Sequence, residues 1–201
     1  MTERIHQAES AALLYDIHGN STALETVLDD VDERGLDELV FGGDYANAGP
    51  RPVEAVRVVR EAATVAIRGN TDEWVTGQSE LPDPEPFAWT RSQLGEDALD
   101  WLEELPFDYR LRPPGGDGPE DDLLVVHANP NDILMPLILE EHPTADWPVT
   151  PDEQLTILLD GVVADLVVFG HIHNPSSKTV AGHRLKSVGS VGLPWDGDLR
   201  A

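Results

Sequence analysis

Short apolar blocks of strand length alternate, in the first third of the chain, with longer segments whose apolar residues recur at helical spacing. Residues 11–15 form the first block. Over residues 20–35, Leu24, Val27, Leu28 and Val31 share one face of a 3.6-residue period, and Gly35 stands where a helix would close in left-handed backbone. Thr22 and Glu25 have capping-box spacing. Residues 39–41 are the next block. Pro52 suits the first turn of a second helix, with Val53, Val56 and Val59 on one side. Residues 64–67 make a third strand. This strand–helix–strand–helix–strand order predicts a parallel sheet with right-handed crossovers. In such sheets ligands gather beyond the carboxyl ends of the strands.

The remainder is less periodic. Residues 81–86 carry three prolines and read as a loop. Residues 95–105 fit a helix with Leu99, Leu102 and the neighbouring Leu94 on one side, and residues 108–112 alternate as a strand does. A Gly/Pro/acidic turn at 113–122 leads to a buried strand at 123–126. A helix is expected at 152–163, a buried strand at 166–169, and a hairpin of 178–180 with 184–188 around Ala181-Gly182. There is no internal repeat. We read residues 1–10 as a flexible N-terminal extension and residues 11–201 as one domain, large enough to bury roughly 70% of its surface.

Chemistry accumulates where the apolar blocks end. The first block runs into Asp16-Ile17-His18-Gly19-Asn20, the second into Gly42-Gly43-Asp44, and the third into Arg68-Gly69-Asn70. Later blocks deliver His127 and then Gly170-His171-Ile172-His173. Two residues two apart on extended chain share a side, so Asp16 and His18 can face one cation. His171 and His173 can do the same, or a bend can send them to different cations. Asp44 has two oxygens with which to bridge. Each signature alone has a plainer explanation: Asn70 as a turn residue, Asp44 as a helix cap, His127 as a packed imidazole. Together the set Asp16, His18, Asp44, Asn70, His127, His171 and His173 predicts a pair of divalent cations and hydrolysis of a phosphate ester. Mixed carboxylate and imidazole donors suit manganese, iron, cobalt, nickel or zinc better than calcium or magnesium.

Composition narrows the setting. The absence of cysteine excludes disulfides, zinc–thiolate sites and thiol nucleophiles. The chain has 38 acidic against 13 basic residues, a formal net charge of −25, with Lys178 and Lys186 as its only lysines. The acidic residues are spread along the whole chain rather than blocked in a tail. That spread fits a cytoplasm at high salt, where the Debye length shrinks to about 3 Å and self-repulsion is screened. A surface of this sign disfavours duplex nucleic acid. The polar start has no apolar secretory core, and no apolar run has the length of a membrane span, so a cytoplasmic location is expected.

The five signatures, in this order, resemble those of the calcineurin-like metallophosphoesterases, and in particular their small bacterial and archaeal phosphodiesterase branch. The resemblance covers residues 11–201 and extends to Gly189-Ser190-Val191-Gly192 and Asp196-Gly197-Asp198. It implies an α/β fold, a four-layer α/β/β/α sandwich with two facing mixed sheets. It also implies two divalent metal ions, manganese being the expected identity and nickel, cobalt, iron or zinc the alternatives. One would be held by Asp16, His18, Asp44 and His173, the other by Asp44, Asn70, His127 and His171, and hydroxide on the metals would be the nucleophile. Asn20 would cap the first helix or touch substrate phosphate.

Three positions depart from the family pattern. Thr71 follows Gly69-Asn70 where the phosphoprotein phosphatases carry a histidine that protonates the leaving group, and a threonine cannot serve as that acid. The departure favours a phosphodiesterase over a phosphoprotein phosphatase, while the presence of all seven ligand residues disfavours a silent scaffold of the same fold. Tyr15 precedes Asp16 where small residues are usual, and a packing consequence is expected. The sequence after the last hairpin is short, which predicts a shortened second sheet, an exposed edge or a homodimer covering it.

Overall fold

The computed structural model describes residues 6–80, 85–141 and 147–197. The three-stranded sheet consists of β2 (Ala11–Leu14), β3 (Glu38–Phe41) and β4 (Val65–Ala66), all parallel and in that order. Helix α1 (Ser21–Arg34) connects β2 to β3, and α2 (Pro52–Ala62) connects β3 to β4. This is the expected parallel succession. Asn20, not Thr22, caps α1: its Oδ1 accepts the N–H of Ala23 at 3.1 Å, while the Thr22 hydroxyl accepts from Arg51 at 2.9 Å. Gly35 closes the helix at φ 61°, as the sequence predicts. Helix α2 buries Pro52, Ala55, Val56, Val58 and Val59, whereas Val53 is 48% exposed and does not join the expected apolar face.

Two helices were not evident in the sequence. Helix α3 (Asn70–Thr76) starts inside the third signature, and α4 (Glu85–Gln93) buries only Thr90. Helix α5 (Glu96–Glu103) follows and buries Leu102. The chain then enters a second, six-stranded sheet built on β5 (Asp108–Arg112), β6 (Leu123–Val126), β7 (Leu166–Phe169), β8 (Ser176–Val180) and β9 (His183–Ser187). Helix α6 (Asp152–Leu158) precedes β7 and is shorter than its apolar pattern suggests. The sixth strand is β1 (His6–Gln7), which pairs in parallel with β5. Residues 6 and 7 are therefore an edge strand rather than free extension.

The order β1-β5-β6-β7-β9-β8 is mixed, with β5 antiparallel to β6 and β8 antiparallel to β9. The expected hairpin turns through Ala181 and Gly182, at φ 50° and 85°. The two sheets face one another across Tyr15, Val40, Ile67, Tyr109, Val125 and Val168. Helices α1, α2, α3 and α5 cover the outer face of the smaller sheet through Leu24, Val56, Val59, Val75 and Leu102. The larger sheet is covered by α6 and the segment around Leu137 and Ile138. The layers are thus α/β/β/α. The smaller sheet is wholly parallel, and the larger one carries the mixed pairing. The proline-rich stretch at 81–84, His142, Asp198 and the last residues lie outside the described residues.

Candidate metal centre

Backbone geometry assembles the site before any side chain is considered. The segment after β2 lies against the segment after β3: Asp16 N–H donates to Gly43 O, His18 N–H to Asp44 O and Gly19 N–H to Tyr45 O, at 3.1, 2.9 and 2.8 Å. Asp16, His18, Asp44, His171 and His173 all have left-handed backbone, with φ between 48° and 69°. Such conformations cost about 1–3 kcal/mol each in non-glycine residues and persist only where the surroundings enforce them. The sharp reversals keep side chains clustered at the strand ends while the chain departs. Gly69 permits a close approach to Asp44. A Cβ there would stand 2.1 Å from Asp44 Oδ1.

The structure brings the predicted donors into two touching groups. In the first, His18 Nε2 lies 3.0 Å from His173 Nε2, and Asp16 Oδ1 lies 4.0 and 3.6 Å from those two nitrogens. In the second, Asn70 Oδ1 lies 2.8 Å from His127 Nε2 and 2.9 Å from His171 Nδ1. Asp44 spans both, with Oδ2 3.6 Å from His18 Nε2 and Oδ1 3.5 Å from His127 Nε2. His171 and His173 therefore part, one to each group, and Ile172 is buried between them. Apart from His171, which is half-buried, these residues are nearly inaccessible.

Backbone carbonyls orient every imidazole. His18 Nδ1 pairs with Asn47 O at 3.0 Å, His127 Nδ1 with Gly42 O at 2.8 Å, and His173 Nδ1 with Leu193 O at 2.8 Å. His171 is turned the other way, its Nε2 pairing with Leu134 O at 2.8 Å. A ring that donates from one nitrogen presents a lone pair from the other, the form a metal ligand requires. Burial, then His127, pushes His171 down to about 4, and burial, then His18, does the same to His173. Both rings are neutral at neutral pH. His18 Nε2 and His173 Nε2 face each other at 3.0 Å, an arrangement that calls for a cation or a proton between them.

The carboxylates agree. Asp16 Oδ2 accepts the His171 N–H at 2.9 Å, but Asp16 Oδ1 is buried without a hydrogen-bond partner. Burial, together with Asp44, drives the Asp16 pKa well above its ordinary value, which marks a carboxylate short of positive charge. Burial also pushes Asp44 up, but His127 and His18 outweigh it and hold the group below the usual value. Donors on one cation at about 2.0–2.2 Å sit roughly 3 Å apart at right angles, and the separations above are of that size. The donor set fits divalent cations.

Several side chains take roles the sequence left undecided. Asp72 accepts N–H groups from Gly69, Asp44 and Tyr45, so it both caps α3 and orients the Asp44 turn. The amide of Asn20 is held at both ends, by the Ala23 N–H and by Gly192 O at 3.1 Å, so of its two expected roles the structure shows the capping one. Arg68 pairs with Glu73 at 2.9 Å. Asn47, whose direction the sequence did not reveal, supports His18 through its backbone carbonyl and accepts from the Thr90 hydroxyl through its side chain. His183 is half-buried, with its Nδ1 2.9 Å from Ala164 O. The segment 189–193 clasps the first signature: Val191 N–H donates to Tyr15 O, Gly192 N–H to Asp16 O and the Ser190 hydroxyl to Asp16 O. Backbone contacts of this kind leave no residue-type signal, although the glycines at 189 and 192 mark the turn.

The family model for calcineurin-like phosphoesterases matches residues 16–175. The chain belongs to that family, and membership implies metal-dependent hydrolysis of phosphoesters by the divalent metals its members use. An uncharacterized protein of Methanocaldococcus jannaschii is 27% identical over 190 residues, covering 92% of this chain and 71% of its own length. A metallophosphoesterase from Sphaerobacter thermophilus superposes with a TM-score of 0.69 at 26% identity, over 95% of this chain and 80% of that one. The phosphoesterase YfcE of E. coli shares the fold, with a TM-score of 0.54 at 21% identity over 95% and 85% of the two chains.

Proposed function

We propose that this protein is a phosphodiesterase that works with two divalent ions, manganese being one of the metals the mixed donor set suits. The observation that carries this reading is Asp44, which offers one oxygen to each of the two donor groups, at 3.6 Å from His18 and 3.5 Å from His127. That position supports a bridging role. When bound, a pair of cations supplies water acidified to near-neutral pKa and neutralises charge on the phosphoryl oxygens. The protein's part is to hold donors. Asp16, His18 and His173 form one cradle, Asn70, His127 and His171 the other, and the carbonyls of Gly42, Asn47, Leu134 and Leu193 fix the ring faces. Thr71 donates its backbone N–H to Asp44 Oδ1 at 2.9 Å and brings no side-chain acid, which supports esters whose leaving group departs with little protonation.

Hydrolysis of bis(p-nitrophenyl) phosphate, with manganese and high salt, tests the proposal against a phosphoprotein substrate. The wild-type chain is expected to bind about two metals and to prefer the diester. Asp44→Asn is expected to lose most of the rate and at least one metal. A variant with wild-type rate and metal content would remove the bridging role. The charge of −25 further supports a protein suited to a salt-rich cytoplasm.

A further inference from the structure

Two of the five tryptophans, distant in sequence, converge beside the histidines. Trp147 and Trp195 stack with ring centroids 5.6 Å apart and planes inclined by 19°, and Trp195 meets the His173 ring edge-on at 5.9 Å. A cavity of about 280 Å³ is lined by this pair, Pro136, Leu139, His171 and His173. The rim is apolar too. Leu134 and Leu193, whose carbonyls hold His171 and His173, expose 45% and 41% of their side-chain-bearing surface, and Met135 and Trp195 expose 45% and 47%. Apolar surface gathered at one place on so acidic a protein marks a site of contact.

We propose that this cavity binds a flat aromatic group of the substrate, a nucleobase or an aryl ring, against the Trp147–Trp195 pair while the phosphate lies at Asp44. The inference rests on the phosphodiesterase function proposed above. Its geometry is fixed by the same contacts that fix the metal ligand: Trp195 N–H donates to His173 O at 3.1 Å, and His173 Nδ1 pairs with Leu193 O at 2.8 Å. The aromatic wall therefore keeps its distance from the donor groups. The volume, about 280 Å³, falls just below the range of drug-sized ligand pockets, about 300–1,000 Å³, and suits one ring system. Stacking tolerates any base because each has a π-face. It also survives the high salt that screens attraction between a phosphate and cations.

Adenosine 5′-monophosphate and ribose 5-phosphate, compared as competitive inhibitors of bis(p-nitrophenyl) phosphate hydrolysis by the manganese-loaded full chain, isolate the base. Indole fluorescence is titrated in parallel. The wild type is expected to bind the nucleotide about tenfold more tightly than the sugar phosphate and to show quenching with the nucleotide alone. Trp195→Leu and Trp147→Leu are expected to bring the ratio close to one, and Trp195→Phe to retain it. Trp89→Leu, at an exposed position that does not line this cavity, is expected to keep the ratio. Equal inhibition in the wild type overturns the inference without any variant. So does a ratio that survives Trp195→Leu with native circular dichroism and metal content. Should the wild type hydrolyse no diester with any divalent metal, the proposed function falls, and the fluorescence titration still decides the subsite.

Discussion

The Asp72 carboxylate accepts the backbone N–H of Asp44 at 2.8 Å, so one buried acid sets the position of another. The same carboxylate takes the N–H groups of Gly69 at 2.8 Å and Tyr45 at 3.1 Å, joining the ends of β3 and β4. Asp72→Ala strands three buried donors, each worth about 1–3 kcal/mol when unpaired. We expect marked loss of stability in urea and, from the displaced Asp44, a ten- to hundredfold loss of metal affinity by calorimetry. Asp72→Asn, which keeps one accepting oxygen, should fall between the two.

Tyr15 bolts the sheets together. It is buried, and its hydroxyl donates to Val168 O at 3.1 Å across the interface. Tyr15→Phe keeps the ring and loses that bond, and should cost about 1 kcal/mol in chemical denaturation with hydrolysis retained. Gly170→Ala is the harsher change. A Cβ there would stand 2.5 Å from both the Tyr15 ring and Asp16 Oδ2. Metal binding and stability should decline together.

Acid should weaken the metal-free protein through His171 and His173, each held at about 4 against an ordinary 6.5. Because the folded-state values are depressed, the unfolded chain binds protons first as pH falls. The contribution is fully present above pH 6.5 and is lost as pH falls through about 4. In chelator, wild-type stability measured at pH 7 and pH 5 should drop by more than that of a His171→Asn/His173→Asn double variant. Equal slopes would place the acid sensitivity elsewhere.

Salt should act in the opposite sense to its effect on a protein held by surface ion pairs. With a net charge of −25, repulsion dominates at low ionic strength. Raising potassium chloride from about 0.1 to 2 M shortens the Debye length several-fold and should raise the melting temperature. A temperature that stays flat or falls would argue against the salt-rich setting.

The parallel core was readable because α1 and α2 present apolar residues at helical spacing and carry the end signals Gly35 and Pro52, although the capping-box spacing of Thr22 and Glu25 misplaced the cap that Asn20 provides. The donor residues were readable because their types are unusual at strand ends. What escaped was carried by backbone or by distance. Helix α4 buries only Thr90, so it lacks an apolar period, and β1 has two residues. The carbonyls of Asn47, Leu134 and Leu193 belong to residues whose side chains say nothing of their task. Trp147 and Trp195 lie on different loops, and only folding reveals that they stack.

The clasp of residues 190–192 on Tyr15 and Asp16 imposes an order on biosynthesis. On the ribosome, the amino-terminal half emerges long before the residues that lock its first signature in place. Until residues 190–192 have emerged and folded back, that cradle lacks its lock, so an ion held there would be captured only after them.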